Sequence, residues 1–221
     1  MKLLINALTK FFCGALLVGV LLFLPAGTLN YDYGWLLMGL LFGPMFIAGL
    51  VMLVKSPAFL EKRLDVKEKR DSQKGVVAFS GLMFVAGFVV AGLDHRFGWS
   101  SMPLWVTIAG SVLFLISYGL YAEVMRENAY LSRTIKVEQG QKVVDTGLYG
   151  IVRHPMYAVT ILLFLMMPIV LGSWYALIAF GGYPALIIVR LKDEEELLSR
   201  ELAGYEDYKK KVKYRLFPFI W

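Results

Sequence analysis

A chain of 221 residues that is 58% hydrophobic and only 18% charged, with a mean hydropathy of +0.61, is too apolar for a soluble domain and reads as a polytopic membrane protein. The single Cys13 and the two histidines, His95 and His154, give neither a disulfide framework nor a cluster at metal-ligand spacing, so no metal site is expected. The net charge of +6 lies in loops between apolar spans, which favours anionic lipid headgroups over nucleic acid as the partner.

A helix crossing the hydrocarbon core needs about 20 apolar residues. Phe11 to Leu24, Gly34 to Val54, Val76 to Leu93 and Pro103 to Ala122 supply four such spans, the first lengthened by Leu3 to Leu8 with Lys10 snorkelling to the surface. Lys2, Lys10 and the run to Leu24 could instead form a signal peptide, but Pro-Ala-Gly after Leu24 is a poor cleavage site. Gly39-x-x-x-Gly43 and Gly87-x-x-x-Ala91 are expected to serve internal helix packing. The mixed-charge loop from Lys55 to Lys74 reads as a solvated face, and Asp94-His95-Arg96 carries no assigned function.

The fifth apolar region, Met156 to Val189, contains no charge and would be about 51 Å long as one helix. It must turn back, and Pro168 followed by Gly172-Ser173 marks the place. The expectation is a hairpin of Pro155 to Leu171 and Trp174 to Val189, six transmembrane helices in all, and an all-α bundle. All basic residues except Arg96 then fall on one side, which puts both termini in the cytoplasm by the positive-inside rule. Residues 1–122 read as a four-helix scaffold and residues 123–221 as a functional core.

Two ionisable clusters bracket the apolar hairpin on that same side. In Arg153-His154-Pro155 the proline suits the first helical position, so Arg153 and His154 stand at the start of the fifth span. Helix N–H groups and two basic side chains there suit a carboxylate or phosphate; the plainer alternative is that Arg153 binds lipid phosphate and His154 caps the helix. Downstream, Arg190 and Glu194 share a helical face with Glu195 turned away from it. Arg190 is the first charge after the apolar run, at the membrane boundary where a guanidinium needs a partner. Lys192 and Glu196 read as an ordinary ion pair. Leu197, Leu198, Leu202, Tyr205, Tyr208, Val212, Leu216, Phe217 and Trp221 recur among lysines and glutamates, as in an amphipathic helix followed by an aromatic strap lying against the membrane surface.

These residues carry a resemblance. Gly147-Leu-Tyr149, Arg153-His154-Pro155, Tyr157, Arg190 with Glu194-Glu195, Gly204 to Tyr208 (GYEDY) and Tyr214 to Trp221 (YRLFPFIW) resemble, in this order, the isoprenylcysteine carboxyl methyltransferase family and its bacterial relatives. The likeness runs from about Asn128 to the C-terminus. It implies a membrane-embedded enzyme that transfers a methyl group from S-adenosylmethionine to a lipophilic or prenylated acceptor arriving from the bilayer. It further implies that Gly147, Tyr149, Arg153, His154, Pro155, Tyr157, Glu194, Glu195, Tyr205 and Tyr208 form the cofactor site, with Arg190 and Glu194 as the catalytic pair and Arg190 orienting an acceptor carboxylate. No G-x-G occurs among the 21 glycines, so a Rossmann-type phosphate loop is absent.

Methyl transfer to a carboxylate needs no metal and no base, whereas an amine acceptor such as phosphatidylethanolamine must lose a proton. Glu194, Glu195 or His154 would serve there, so lipid N-methylation stays open. Two other classes remain beside it: an NADPH-dependent membrane reductase, because sterol reductases share the aromatic strap, and a non-enzymatic lipid-binding protein. The short chain leans toward a bacterial inner membrane.

Overall fold

The computed structural model describes residues 1–65, 71–132 and 134–221, and every regular element among them is helical. Part of the charged loop read as a solvated face, 66–70, lies outside the described residues, as does residue 133. In chain order the helices are α1 (Lys2–Ala26), α2 (Asp32–Lys55), α3 (Pro57–Leu64), α4 (Asp71–Phe97) and α5 (Leu104–Glu127). After a long loop and a 3-10 turn at Gly147–Gly150 come α6 (Pro155–Val170), α7 (Trp174–Phe180), α8 (Tyr183–Glu201) and α9 (Tyr205–Lys211).

Among the described residues, Lys2–Ala26, Asp32–Lys55, Gln73–Phe97, Leu104–Glu127 and the stretch Trp174–Glu201 are each long and apolar enough to cross a membrane, and the chain is an integral membrane protein. α1 extends through Leu3 to Leu8 as expected, and Lys10 bends back so that its Nζ donates to the Leu64 carbonyl, 2.6 Å away. The hairpin turns where Pro168 and Gly172 placed it, but its two arms differ from expectation. α6 has 16 residues, about 24 Å, and is shorter than a full crossing. The second arm breaks at Gly181-Gly182, so α7 ends at Phe180 and α8 begins at Tyr183 and runs on through the charged segment.

α5 packs along α6, α1 along α4, and α4 along α7. Leu22, Leu37, Phe88, Phe114, Val170 and Phe180 join these helices into one buried cluster. Helix contact without a hydrophobic driving force relies on close backbone approach. Gly87 provides it, since a Cβ there would meet the Phe180 ring at 2.3 Å, and Ala91 is fully buried. Gly39 and Gly43, expected to do the same, have no atom within 4 Å of a built Cβ and serve no packing within the chain.

At the end of the bundle remote from the charged clusters, Asp94 is a tie rather than a free charge. Only 2% exposed, it accepts from the Ser100 N–H at 2.7 Å, from the Ser100 hydroxyl at 2.6 Å and from the Ser173 hydroxyl, joining α4 to the following loop and to the α6–α7 turn. Next to it His95 stacks on Tyr31 at 4.1 Å, and the Tyr31 hydroxyl donates to the Leu171 carbonyl at 2.8 Å. Asp94→Ala strands these donors and should cost about 2–3 kcal/mol. A lowered thermal midpoint in detergent, with ligand binding at the opposite end unchanged, is the expected measurement.

Candidate functional site

α6 and α8 set out the site by their periodicity. On α8, Tyr183, Ile187 and Leu191 recur every four residues as a buried stripe, and the next member of that stripe is Glu195. Glu194, one position earlier, is turned by about 100° and lines a pocket instead. Adjacent carboxylates therefore have different surroundings.

Glu195 is 6% exposed and gathers three basic groups from distant parts of the chain. Arg215 Nε donates to its Oε2 at 2.8 Å, while His154 Nε2 lies 3.3 Å and Arg153 Nε 3.0 Å from its Oε1. The Arg153 contact is an ion pair without hydrogen-bond alignment, since its enclosed Nε has no hydrogen-bond partner. Backbone bonds fix the same junction: Arg153 N donates to Tyr214 O and His154 N to Arg215 O, both at 2.9 Å. The C-terminal strap is thus strapped onto the start of α6. It closes on itself through Trp221, whose carbonyl accepts from Arg215 N at 2.9 Å and whose ring centre lies 5.0 Å from the Arg215 guanidinium.

Those bonds narrow the expectation of an anion site at this helix start. The N–H groups of Arg153 and His154 are taken by the strap, Pro155 has none, and the negative charge beside the two basic side chains is the chain's own Glu195.

The pocket lies beside this junction, with about 620 Å³ of atom-free space partly open to solvent. Of the sequence-predicted residues, Tyr149, Arg153, His154, Tyr157, Glu194, Tyr205 and Tyr208 line it. Gly147, Pro155, Glu195 and Arg190 do not, and they shape it from behind. Gly147 starts the 3-10 turn at φ +53, a left-handed conformation that side chains disfavour, and a Cβ there would meet Glu127 Cδ at 2.8 Å. That turn presents Tyr149, whose hydroxyl accepts from Asn128 Nδ2 at 3.0 Å and whose carbonyl accepts from the Tyr208 hydroxyl at 2.7 Å. The Tyr205 hydroxyl lies 3.4 Å from His154 Nε2. Burial pushes the phenols of Tyr149, Tyr205 and Tyr208 above their ordinary range, with Glu195 adding to the effect at Tyr205, so all three stay neutral.

Beyond Glu194 the polar contacts continue into the bundle. The Tyr157 hydroxyl donates to Glu194 Oε2 and accepts from Arg190 Nε at 3.2 Å, so the predicted Arg190 and Glu194 meet on one phenol. Arg190 Nη1 donates to Gln73 Oε1 at 3.3 Å, and Gln73 Nε2 donates to Asp193 Oδ2 at 2.7 Å. Gln73 is fully buried and comes from α4, in the half read as scaffold. Glu196, expected to pair with Lys192, is bound by Arg200.

Sequence reasoning passed over Gln73 and left Arg215 without a role. Arg215 stood in the quoted YRLFP stretch, and nothing local marked Gln73 because it lies in a mixed-charge segment. Asn128, Lys136 and Lys142 also line the pocket without having been given a role.

Comparison with known proteins matches this geometry to a segment of the chain. Residues 107–200 match the isoprenylcysteine carboxyl methyltransferase (ICMT) family. A mouse delta(14)-sterol reductase, TM7SF2, is 29% identical over 91 residues, which is 40% of this chain and 22% of the reductase. The uncharacterized protein YpbQ of Bacillus subtilis is 30% identical over 95 residues, 42% of this chain and 56% of YpbQ. The chain thus spans less than two thirds of either relative. The segment that matches the isoprenylcysteine carboxyl methyltransferase family, residues 107–200, carries α6, the pocket-facing part of α8 and the loop with Tyr149, Arg153 and His154.

Proposed function

We propose that the chain is an S-adenosylmethionine-dependent methyltransferase acting on a lipophilic acceptor, most simply the carboxylate of an isoprenylcysteine-like molecule, at the cytoplasmic face of a bacterial inner membrane. The observation that carries this reading is the convergence of Tyr149, Arg153, His154, Tyr157, Glu194, Tyr205 and Tyr208 on one pocket, with Arg190 one hydrogen bond deeper in the bundle. The donor set fits the cofactor's chemistry. Glu194 leaves Oε1 without a partner among the described residues and so offers an acceptor to an ammonium or to ribose hydroxyls. Four tyrosines supply the aromatic faces that attract a cationic sulfonium and stack on a base. The basic end of the bundle faces the cytoplasm by the positive-inside rule.

When bound, the cofactor supplies a methyl group on a positively charged sulfur, and a carboxylate oxygen displaces that sulfur as the new C–O bond forms. No proton moves and the two charges cancel, so the chain's task is to hold the oxygen in line with the methyl carbon and to keep water out. Arg190 is placed to orient the carboxylate, and Tyr157 links it to Glu194. Gln73 holds Arg190 from the other side. Arg190→Ala should lower kcat/KM for a carboxylate acceptor about 10- to 100-fold, the worth of a charge-assisted hydrogen bond, and should leave cofactor affinity nearly unchanged. Equal losses in both would remove its separate role.

The local likeness to a sterol reductase supports a second reading, an NADPH-dependent reduction in the same pocket. Titration calorimetry of the detergent-purified protein with S-adenosylmethionine and with NADPH separates the two. Saturable binding of the first alone is expected. Binding of NADPH alone would overturn the methyl-transfer reading, and binding of neither would leave a lipid-binding protein.

A further inference from the structure

The machinery just described leaves one half-buried cation unused. Arg63, on the short helix α3, donates from Nη2 to the Tyr121 hydroxyl, and its guanidinium carbon lies 5.6 Å from the Tyr121 ring centre. Its Nη1 is enclosed and has no hydrogen-bond partner among the described residues. A guanidinium N–H shut away from water without an acceptor is unfavourable, and an anionic oxygen relieves it.

Glu138 does not fill that role: its Oε2 is bound by Lys62 at 2.6 Å, and its Oε1, 3.7 Å from Lys136, has no hydrogen-bond partner among the described residues. The place is also firmly held. Lys62 ties α3 to the long loop, Lys10 of α1 reaches the Leu64 carbonyl, and Tyr121 fixes α3 to α5. Tyr121 and Phe59 of α3 pack in one apolar cluster with Val144, Tyr149 and Met156, and these last three also line the pocket. Arg63 therefore stands one residue layer behind the pocket wall, on the short helix between two apolar spans. Its charge reaches the Tyr149 phenol, opposing the effect of Glu194 there.

We infer that Arg63, backed by Tyr121, is a second anchor for the anionic group of the acceptor, a carboxylate or a phosphate, supplied by a part of the chain outside the segment that matches the family. The inference deepens the methyl-transfer reading and rests on it only for calling the bound molecule an acceptor.

Three probes test it by binding to the full-length protein in detergent: S-farnesyl-N-acetylcysteine, its neutral carboxamide, and farnesyl monophosphate. The native protein should prefer the charged probes to the amide. Arg63→Met should weaken the preferred charged probe at least tenfold while amide and S-adenosylmethionine affinities stay as they were, and Arg63→Lys should restore part of the loss. Whether carboxylate or phosphate is preferred tells prenyl acid from phospholipid-like acceptor. Equal affinity of the native protein for amide and charged probes overturns the inference, even if the methionine variant does not fold. So does a charge preference that is undiminished in Arg63→Met, since Arg190 alone would then account for it. An Arg63-dependent preference in a protein that does not bind S-adenosylmethionine would uphold the anion site and defeat the methyl-transfer reading instead.

Discussion

Glu195→Ala should destabilise the protein by about 3–5 kcal/mol, the largest effect expected of any single substitution here. The carboxylate is buried, and removing it leaves Arg153 and His154, both shielded from water, and the partly exposed Arg215 without their shared partner. Breaking a buried ion cluster by deleting its only anion costs more than the cluster itself is worth, because the stranded charges pay desolvation with no return. The strap, which also rests on the backbone bonds to Arg153 and His154, should loosen with it. A thermal melt in detergent reads the loss. Adding Arg215→Met to Glu195→Ala should recover part of the stability by withdrawing one stranded charge, and no recovery would mean that Glu195 acts through packing alone.

Glu194→Gln should do the opposite: little change in stability and a cofactor affinity weakened about 10- to 100-fold, as expected for one lost charge-assisted hydrogen bond. The amide oxygen of glutamine still accepts from the Tyr157 hydroxyl, so the fold keeps its contact. What disappears is the negative charge at the pocket surface, where Oε1 has no partner among the described residues. Calorimetry with S-adenosylmethionine measures this directly. An unchanged dissociation constant would take Glu194 out of the binding site, and a fall in melting temperature equal to that of Glu195→Ala would mean that the two carboxylates share one structural role.

The contrast between these neighbours shows where local sequence stops informing. Spacing correctly set Glu194 and Glu195 on different faces of α8, and it paired Arg190 with Glu194. It did not say which face was buried in an ion cluster and which lined a pocket, so both glutamates were assigned to the cofactor. The four-residue stripe of Tyr183, Ile187 and Leu191 leading to Glu195 was available as a signal, but a carboxylate at the end of an apolar stripe is intelligible only once its cations are known. Those partners are the adjacent Arg153 and His154, the latter 41 residues before Glu195, and Arg215, 20 residues after it on a tail that has no periodicity of its own.

By itself the sequence determined the class, the first four spans, the position of the hairpin turn and most of the polar residues that gather at one end. Each follows from short-range causes: the length of apolar runs against the thickness of a bilayer, the backbone demands of proline and glycine, and the return of a helical face every three to four residues. Only the tertiary structure decided that Glu195 meets Arg153, His154 and Arg215, that Gln73 of α4 holds Arg190, that Asp94 ties one end together, and that Arg63 keeps an enclosed nitrogen without an acceptor among the described residues. The physical reason is the same in each case. Which polar atoms meet across helices depends on the rotation and depth at which packed helices settle, and that is fixed by contacts such as Gly87 against Phe180 that no local pattern encodes.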